Sequence, residues 1–317
     1  MKNTFYQDNF EPHIRLRKWF YRIVFWTLAL FLLFALLKKS DWHDTFSKIA
    51  DIPVTVILYC TLGWLVSFVF RAVRFQTEWQ SVGTISFFSA LRLTFLHNAA
   101  VLLVPFRVGE LGYPALVQQL LNVSWQQCVR SLLWLRLQDG VVLLTISFLL
   151  LPFLATELRL AFFSISLLFL FFTKSRWLKL LKSRNFMAEQ LRAFLHQRGN
   201  AWSWFWSAAN WVVKIVVVAL LLQSLTTLPF QQTMNGAVTG ELSALLPITG
   251  PAGLGTYEAG VWFGLAMPWS EAKNLMACIL FSHLFFLGIS LLGAGVFLVL
   301  DVFQFVSLKL NQEDAHG

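Results

Sequence analysis

Apolar runs of about 20 residues recur along the chain, separated by short polar or basic stretches. Each unbroken run is long enough to cross a bilayer as a helix. The pattern predicts spans over residues 19–37, 52–70, 126–151, 153–172, 202–226 and 272–305. Two more apolar stretches, 85–121 and 233–267, are broken by helix-stopping residues. The first is interrupted at Pro105 and Gly109, the second at Pro247 and the glycines between 250 and 255. The expected fold is all-α: a polytopic helical membrane protein with about six full spans and two re-entrant hairpins. A single integral membrane domain over 1–317 follows, with halves 1–172 and 199–317 joined by a basic loop, 173–198.

Charge orients these elements. Arg15, Arg17, Lys18 and Arg22 precede or enter the first run, Arg71 and Arg74 close the second, and Lys309 follows the last. The loop holds Lys174, Arg176, Lys179, Lys182, Arg184, Arg192 and Arg198 against Glu189. Excess Lys and Arg marks the cytoplasmic side, so the N-terminus is expected there. Counting spans, 85–121 then begins and ends inside, as a re-entrant hairpin or as two cramped full spans, and 233–267 begins and ends outside. The two breaks also look alike: "LLVPFRVGELGYPALV" (102–117) and "LLPITGPAGLGTYEAGV" (245–261). Opposite entry and this likeness together suggest an inverted repeat, the plan of many transporters.

Composition narrows the function classes. The chain is 57% hydrophobic and 13% charged, with a mean hydropathy of +0.64. A soluble domain carries about twice that charge. The net charge of +9 belongs to cytoplasmic loops, so no nucleic-acid partner is expected. Cys60, Cys128 and Cys278 lie in or beside apolar runs without a CxxC pair, which suggests neither a disulfide framework nor a zinc site. Run 19–37 lacks a cleavage site and ends in Lys38 and Lys39, so it reads as an anchor. No metal and no cofactor are expected.

Polar residues gather at the interruptions. Arg107 and Glu110 flank the first. Arg136 and Asp139 sit inside an apolar run, three apart, and could pair on one helix face. Glu241 opens the arm "ELSALLP", and Glu258 follows Tyr257. Arg92, His97 and Asn98 lie on the first arm, and Lys214 lies inside 202–226. The bland readings are that Lys214 snorkels to the interface, His97 is a packing residue, Trp202, Trp204 and Trp206 form an interfacial belt, and Glu241 and Glu258 merely cap half-helices. Yet each charge costs about 2.5–3.5 kcal/mol at a helix centre. Broken backbone at membrane depth is tolerated only against protein or a water-filled cavity. A cavity lined by arginines and carboxylates can hold a phosphate headgroup while its own charges stay paired.

"NAAVLLVPFRVGEL", "LRLQD" and "LLPITGPAGLGTYEAGV" resemble, in that order, the transmembrane, flippase-like region of lysylphosphatidylglycerol synthase and its stand-alone relatives. The resemblance runs from about residue 15 to residue 305. It implies lipid movement between leaflets of a bacterial cytoplasmic (inner) membrane. Matching positions are Asn98, Pro105, Arg107, Gly109, Glu110, Arg136, Asp139, Pro247, Gly253, Gly255 and Glu258. Basic residues that often follow the first Gly-Glu and precede the late glutamate are replaced by Tyr113 and Tyr257, and the acid before the Arg136 position is Leu135. These departures argue against an aminoacyl-phospholipid as substrate. The family's soluble aminoacyl-transferase domain is absent, so no synthesis of lysyl lipid is expected.

The substrate-binding candidates are thus Arg107, Glu110, Arg136, Asp139, Glu241, Glu258, Asn98, Arg92, Tyr113 and Tyr257. The hinge candidates are Pro105, Gly109, Pro247, Gly253 and Gly255. The expected function is a non-enzymatic flippase for a phospholipid or polyprenyl-phosphate type lipid with an anionic headgroup. The alternative is a membrane enzyme or accessory scaffold on lipid-linked envelope precursors; a homo-oligomer and an envelope-synthesis partner stay open.

Overall fold

The computed structural model describes residues 42–104, 108–150, 155–172, 201–245, 251–272 and 275–314. The run 19–37, the basic stretch 173–198, Pro105, Arg107 and Pro247 lie outside them. Every regular element among the described residues is helical. In order these are α1 (Trp42–Ala50), α2 (Val54–Trp79), α3 (Phe87–Leu103), a 3-10 turn (Val108–Leu111), α4 (Gly112–Leu121), α5 (Trp125–Leu150), α6 (Thr156–Phe172) and α7 (Ala201–Leu225). Then come α8 (Phe230–Ser243), a second 3-10 turn (Pro251–Gly253), α9 (Thr256–Leu265), α10 (Trp269–Ala272) and α11 (Met276–Asp314).

Among the described residues, four helices are long and apolar enough to cross a membrane: α2, α5, most of α7, and α11 over Met276–Phe303. The chain is a multi-pass membrane protein. Two boundaries move furthest from expectation. α2 does not stop at residue 70, where Arg71 and Arg74 suggested a membrane face; it continues to Trp79. Arg74, Phe75 and Trp79 are all buried, so the helix carries the arginines into protein rather than water. The last helix runs to Asp314, beyond the expected end at 305.

α2 and α7 form the centre and run antiparallel. Cys60 Sγ donates to Val217 O at 3.4 Å, Gly63 lies against Val213 and Val217, and Phe70 meets Trp206 at 5.5 Å. Positions rise along α2 as they fall along α7. Trp204, expected in an interfacial belt, is buried edge-on to Trp134, whereas Trp202 is exposed. Trp204 faces inward because it shares a helix face with Trp211 and Ser207, both buried.

Each broken stretch is a helix, a turn and a second helix folded back on the first. In the first, Ser86 Oγ caps α3 by accepting the Ser89 N–H at 3.1 Å. The 3-10 turn then brings Gly109 onto the backbone of Ala100. Further along, Tyr113 of α4 meets His97 of α3 edge-on at 5.5 Å. In the second stretch, Gly236 faces Val261 and Leu265, and Gly240 faces Tyr257 and Val261. Gln232 Nε2 donates to Leu265 O at 2.7 Å and ties the open end of this pair. Gly253 and Gly255 turn the chain with φ of +82° and +83°, a region that suits glycine. Glu241 does not open an arm, as the sequence suggested. It lies in the last turn of α8, because that helix already starts at Phe230, behind Pro229.

Candidate functional site

A cavity of about 220 Å³ lies between α2, α3, the first 3-10 turn, α4, α5, α7 and the end of α8. Its charged lining is Arg71, Arg74, Glu110, Arg136, Asp139, Lys214 and Glu241. Thr94, His97, Asn98, Tyr113, Asn210 and Trp211 complete the polar wall. Arg136 and Asp139 flank the midpoint of α5, and Lys214 is near the midpoint of α7, so the charges gather at mid-helix depth.

Most of these charges are paired. Arg74 Nη1 donates to Asp139 Oδ1 at 2.6 Å, and its Nη2 donates to Leu135 O at 2.7 Å and Gln138 Oε1 at 2.9 Å. Asp139 Oδ1 also accepts from Trp211 Nε1 at 3.0 Å and Ser207 Oγ at 3.1 Å. Arg136 takes Glu110 Oε2 with two nitrogens, at 2.6 and 2.9 Å. Its contact with Asp139 is looser, 3.5 Å, so the i,i+3 pair is secondary to partners on other elements. Lys214 does not snorkel outward. Its Nζ donates to Glu241 Oε2 at 2.6 Å and lies 5.0 Å from the ring centres of Trp64 and Trp211. Charged pairs of this kind offset the desolvation of burying them.

Arg71 is different. Its Nε donates to Asn210 Oδ1 at 3.0 Å and its Nη1 to Asn98 Oδ1 at 3.2 Å. Both acceptors are neutral, and Nη2 makes no hydrogen bond among the described residues. Four cations and three carboxylates line the wall among the described residues, so one positive charge is in excess.

The sequence candidates divide three ways. Glu110, Arg136, Asp139, Asn98, Tyr113 and Glu241 line the cavity. Arg107 lies outside the described residues. Arg92, Tyr257 and Glu258 are not on the cavity wall: Arg92 holds Asp301 of α11 at 2.7 to 3.0 Å, and Tyr257 stacks on His283 at 4.1 Å. Glu258 caps the Gly255 N–H at 2.6 Å and meets His283 Nδ1 at 2.7 Å. His97 packs on Tyr113, as its bland reading has it, and also lies 3.3 Å from Arg136 Nη2. Among the polar wall residues, Arg71, Arg74, Thr94, Asn210 and Trp211 were not site candidates from sequence.

A spacing signal marks Arg71 and Trp211. Arg71 reaches Asn98 across 27 positions, and Lys214 reaches Glu241 across 27. Glu110 pairs with Arg136 across 26 positions, and Glu258 with His283 across 25. Arg71 lies over Phe68 and Lys214 over Trp211, each ring three residues earlier.

A groove of about 400 Å³ adjoins the cavity and shares Glu110, Leu132, Arg136 and Leu245 with it. Its remaining lining is Leu133 and Gly140, and Leu133 is exposed. The charged cavity therefore opens sideways along α5.

The fold and the cavity define a helical multi-pass membrane protein with paired charges gathered between its helices. The sequence profile described as lysylphosphatidylglycerol synthase TM region matches residues 19–293, and the chain belongs to that family. No curated protein gives a significant match.

Proposed function

We propose that this protein moves an anionic lipid between the leaflets of a bacterial cytoplasmic membrane without altering it chemically. The observation that carries the reading is Arg71, a cation fixed by two neutral amides inside a cavity that opens sideways. An anionic headgroup satisfies the open arm of its guanidinium, since arginine binds phosphate through a planar fork. The side groove lets acyl or prenyl chains stay in the apolar phase while the headgroup enters. Family membership supports a role in lipid handling.

The two broken stretches act as re-entrant hairpins in this reading, within six spans and with a cytoplasmic N-terminus. Their arms support it: α8 and α9 are about 21 and 15 Å long at 1.5 Å per residue, too short for a bilayer core of about 30 Å. The matched spacings, with α2 and α7 antiparallel, support an inverted repeat.

The test is leaflet exchange of a labelled phosphatidylglycerol in liposomes holding purified protein. Arg71→Gln removes one charge-assisted contact, worth about 1.5–3 kcal/mol, and should slow exchange about tenfold or more. A wild type no faster than empty liposomes would turn the reading toward an accessory scaffold. Equal rates for wild type and Arg71→Gln would remove Arg71 from the headgroup site.

A further inference from the structure

One buried titratable pair lies apart from the cavity wall. Glu258 uses one oxygen to hold the Gly255 N–H and the other to hold His283 Nδ1. A carboxylate accepting at both oxygens places the first imidazole proton on Nδ1, so a second binds at Nε2. Nε2 makes no hydrogen bond among the described residues and faces Gly253 in the glycine turn.

The pair repeats Glu110–Arg136 in spacing: an acid just past each break takes a base on the following long helix. Two differences matter. Arginine is permanently charged, whereas histidine gains and loses a proton near neutral pH. Glu110 and Arg136 side chains are 15% and 35% exposed, whereas those of Glu258 and His283 are 2% and 9% exposed. One pair is open and its counterpart is closed.

We propose that Glu258–His283 is a proton-binding site that sets the opening of the second hairpin. A proton taken from water at His283 Nε2 changes the pair from one negative charge to none. A neutral ion pair tolerates burial better than a carboxylate beside a neutral ring, whose net charge is met only by hydrogen bonds from the Gly255 N–H and Nδ1. Protonation therefore favours the closed hairpin, and release of the proton to water favours opening. The surrounding titratable groups are Tyr257, whose neutral phenol ring stacks on the imidazole, and Glu241 of α8, already tied to Lys214 of α7. α3, packed on the turn, brings His97, turned to Arg136 and Tyr113, and Arg92, tied to Asp301.

The link to transport rests on the lipid-movement reading; the proton site itself does not. Leu254→Cys, in the turn, is labelled in a background with Cys60, Cys128 and Cys278 replaced by Ala. Its rate is normalised to an exposed cysteine at Gln119, which cancels thiol ionisation. From about pH 5.5 to about pH 8 the normalised rate should rise at least about threefold. His283→Arg should stay flat at the low value, and His283→Gln flat at the high one. A flat wild type, or an unchanged slope in His283→Gln, overturns the proposal. Labelled phosphatidylglycerol exchange is measured in the same liposomes. A titrating turn with no exchange at any pH keeps the proton site and ends the lipid reading; exchange with flat labelling does the reverse.

Discussion

Asp139 ties three elements together through one carboxylate. Arg74 of α2 and Trp211 and Ser207 of α7 all donate to its Oδ1 on α5. Removing one partner of a buried pair leaves the other charge without compensation, at a cost of about 3–5 kcal/mol. Asp139→Ala should lose stability in that range, read from unfolding of the purified protein in detergent. Ser207→Ala, which removes one hydrogen bond, should lose about 1 kcal/mol. Similar small losses for both would mean Arg74 finds another anion. Asp139 was legible in the sequence because a carboxylate inside an apolar run is costly. Arg74 was not. A basic pair after 19 apolar residues reads as a cytoplasmic collar, and only the packing of Trp79 and Phe75 shows that the helix goes on. Lys214 was ambiguous for a related reason: snorkelling and inward pairing begin from the same sequence position.

The second hairpin depends on closeness between arms more than on apolar bulk. A side chain at Gly264 would collide with Thr239 Oγ1 and the Asn235 backbone. Overpacking of this kind costs about 1–3 kcal/mol. Gly264→Val should therefore lower the unfolding midpoint and spread α8 from α9. Gly288→Ala on α11, with open space around the added carbon, should be neutral or stabilising by up to about 1 kcal/mol. The comparison is a thermal melt of both variants; equal effects would mean the arms are not in contact. At this scale the sequence was informative about where helices break, since proline and clustered glycine act locally. α9 begins at Thr256, directly after the glycine cluster. It was less informative about where arms start. α8 begins at Phe230 through residues such as Gln231, Gln232 and Thr233, which no hydropathy pattern marks as part of an apolar arm.

At the scale of the whole molecule, the direction of each hairpin decides whether the halves are related by inversion. α2 and α7 occupy matching places by the spacing of Arg71–Asn98 and Lys214–Glu241, and they pack antiparallel. Halves related by an axis along the membrane normal would bring matching helices together in parallel; only an axis in the membrane plane reverses them. On the proposed inverted plan, the hairpins that follow them enter from opposite faces. Gln119 on α4 and Gln231 on α8 are exposed and sit near the open ends of their hairpins. Gln119→Cys and Gln231→Cys, in a background without other cysteines, should react with a membrane-impermeant maleimide from opposite sides of sealed vesicles. With the N-terminus cytoplasmic, inside-out vesicles should label Gln119→Cys and protect Gln231→Cys, and right-side-out cells the reverse. Labelling of both from one side would rule out the inverted plan. Reversal of the two patterns would keep the plan and place the N-terminus outside. The assay reads topology alone, so neither result depends on which lipid enters the cavity.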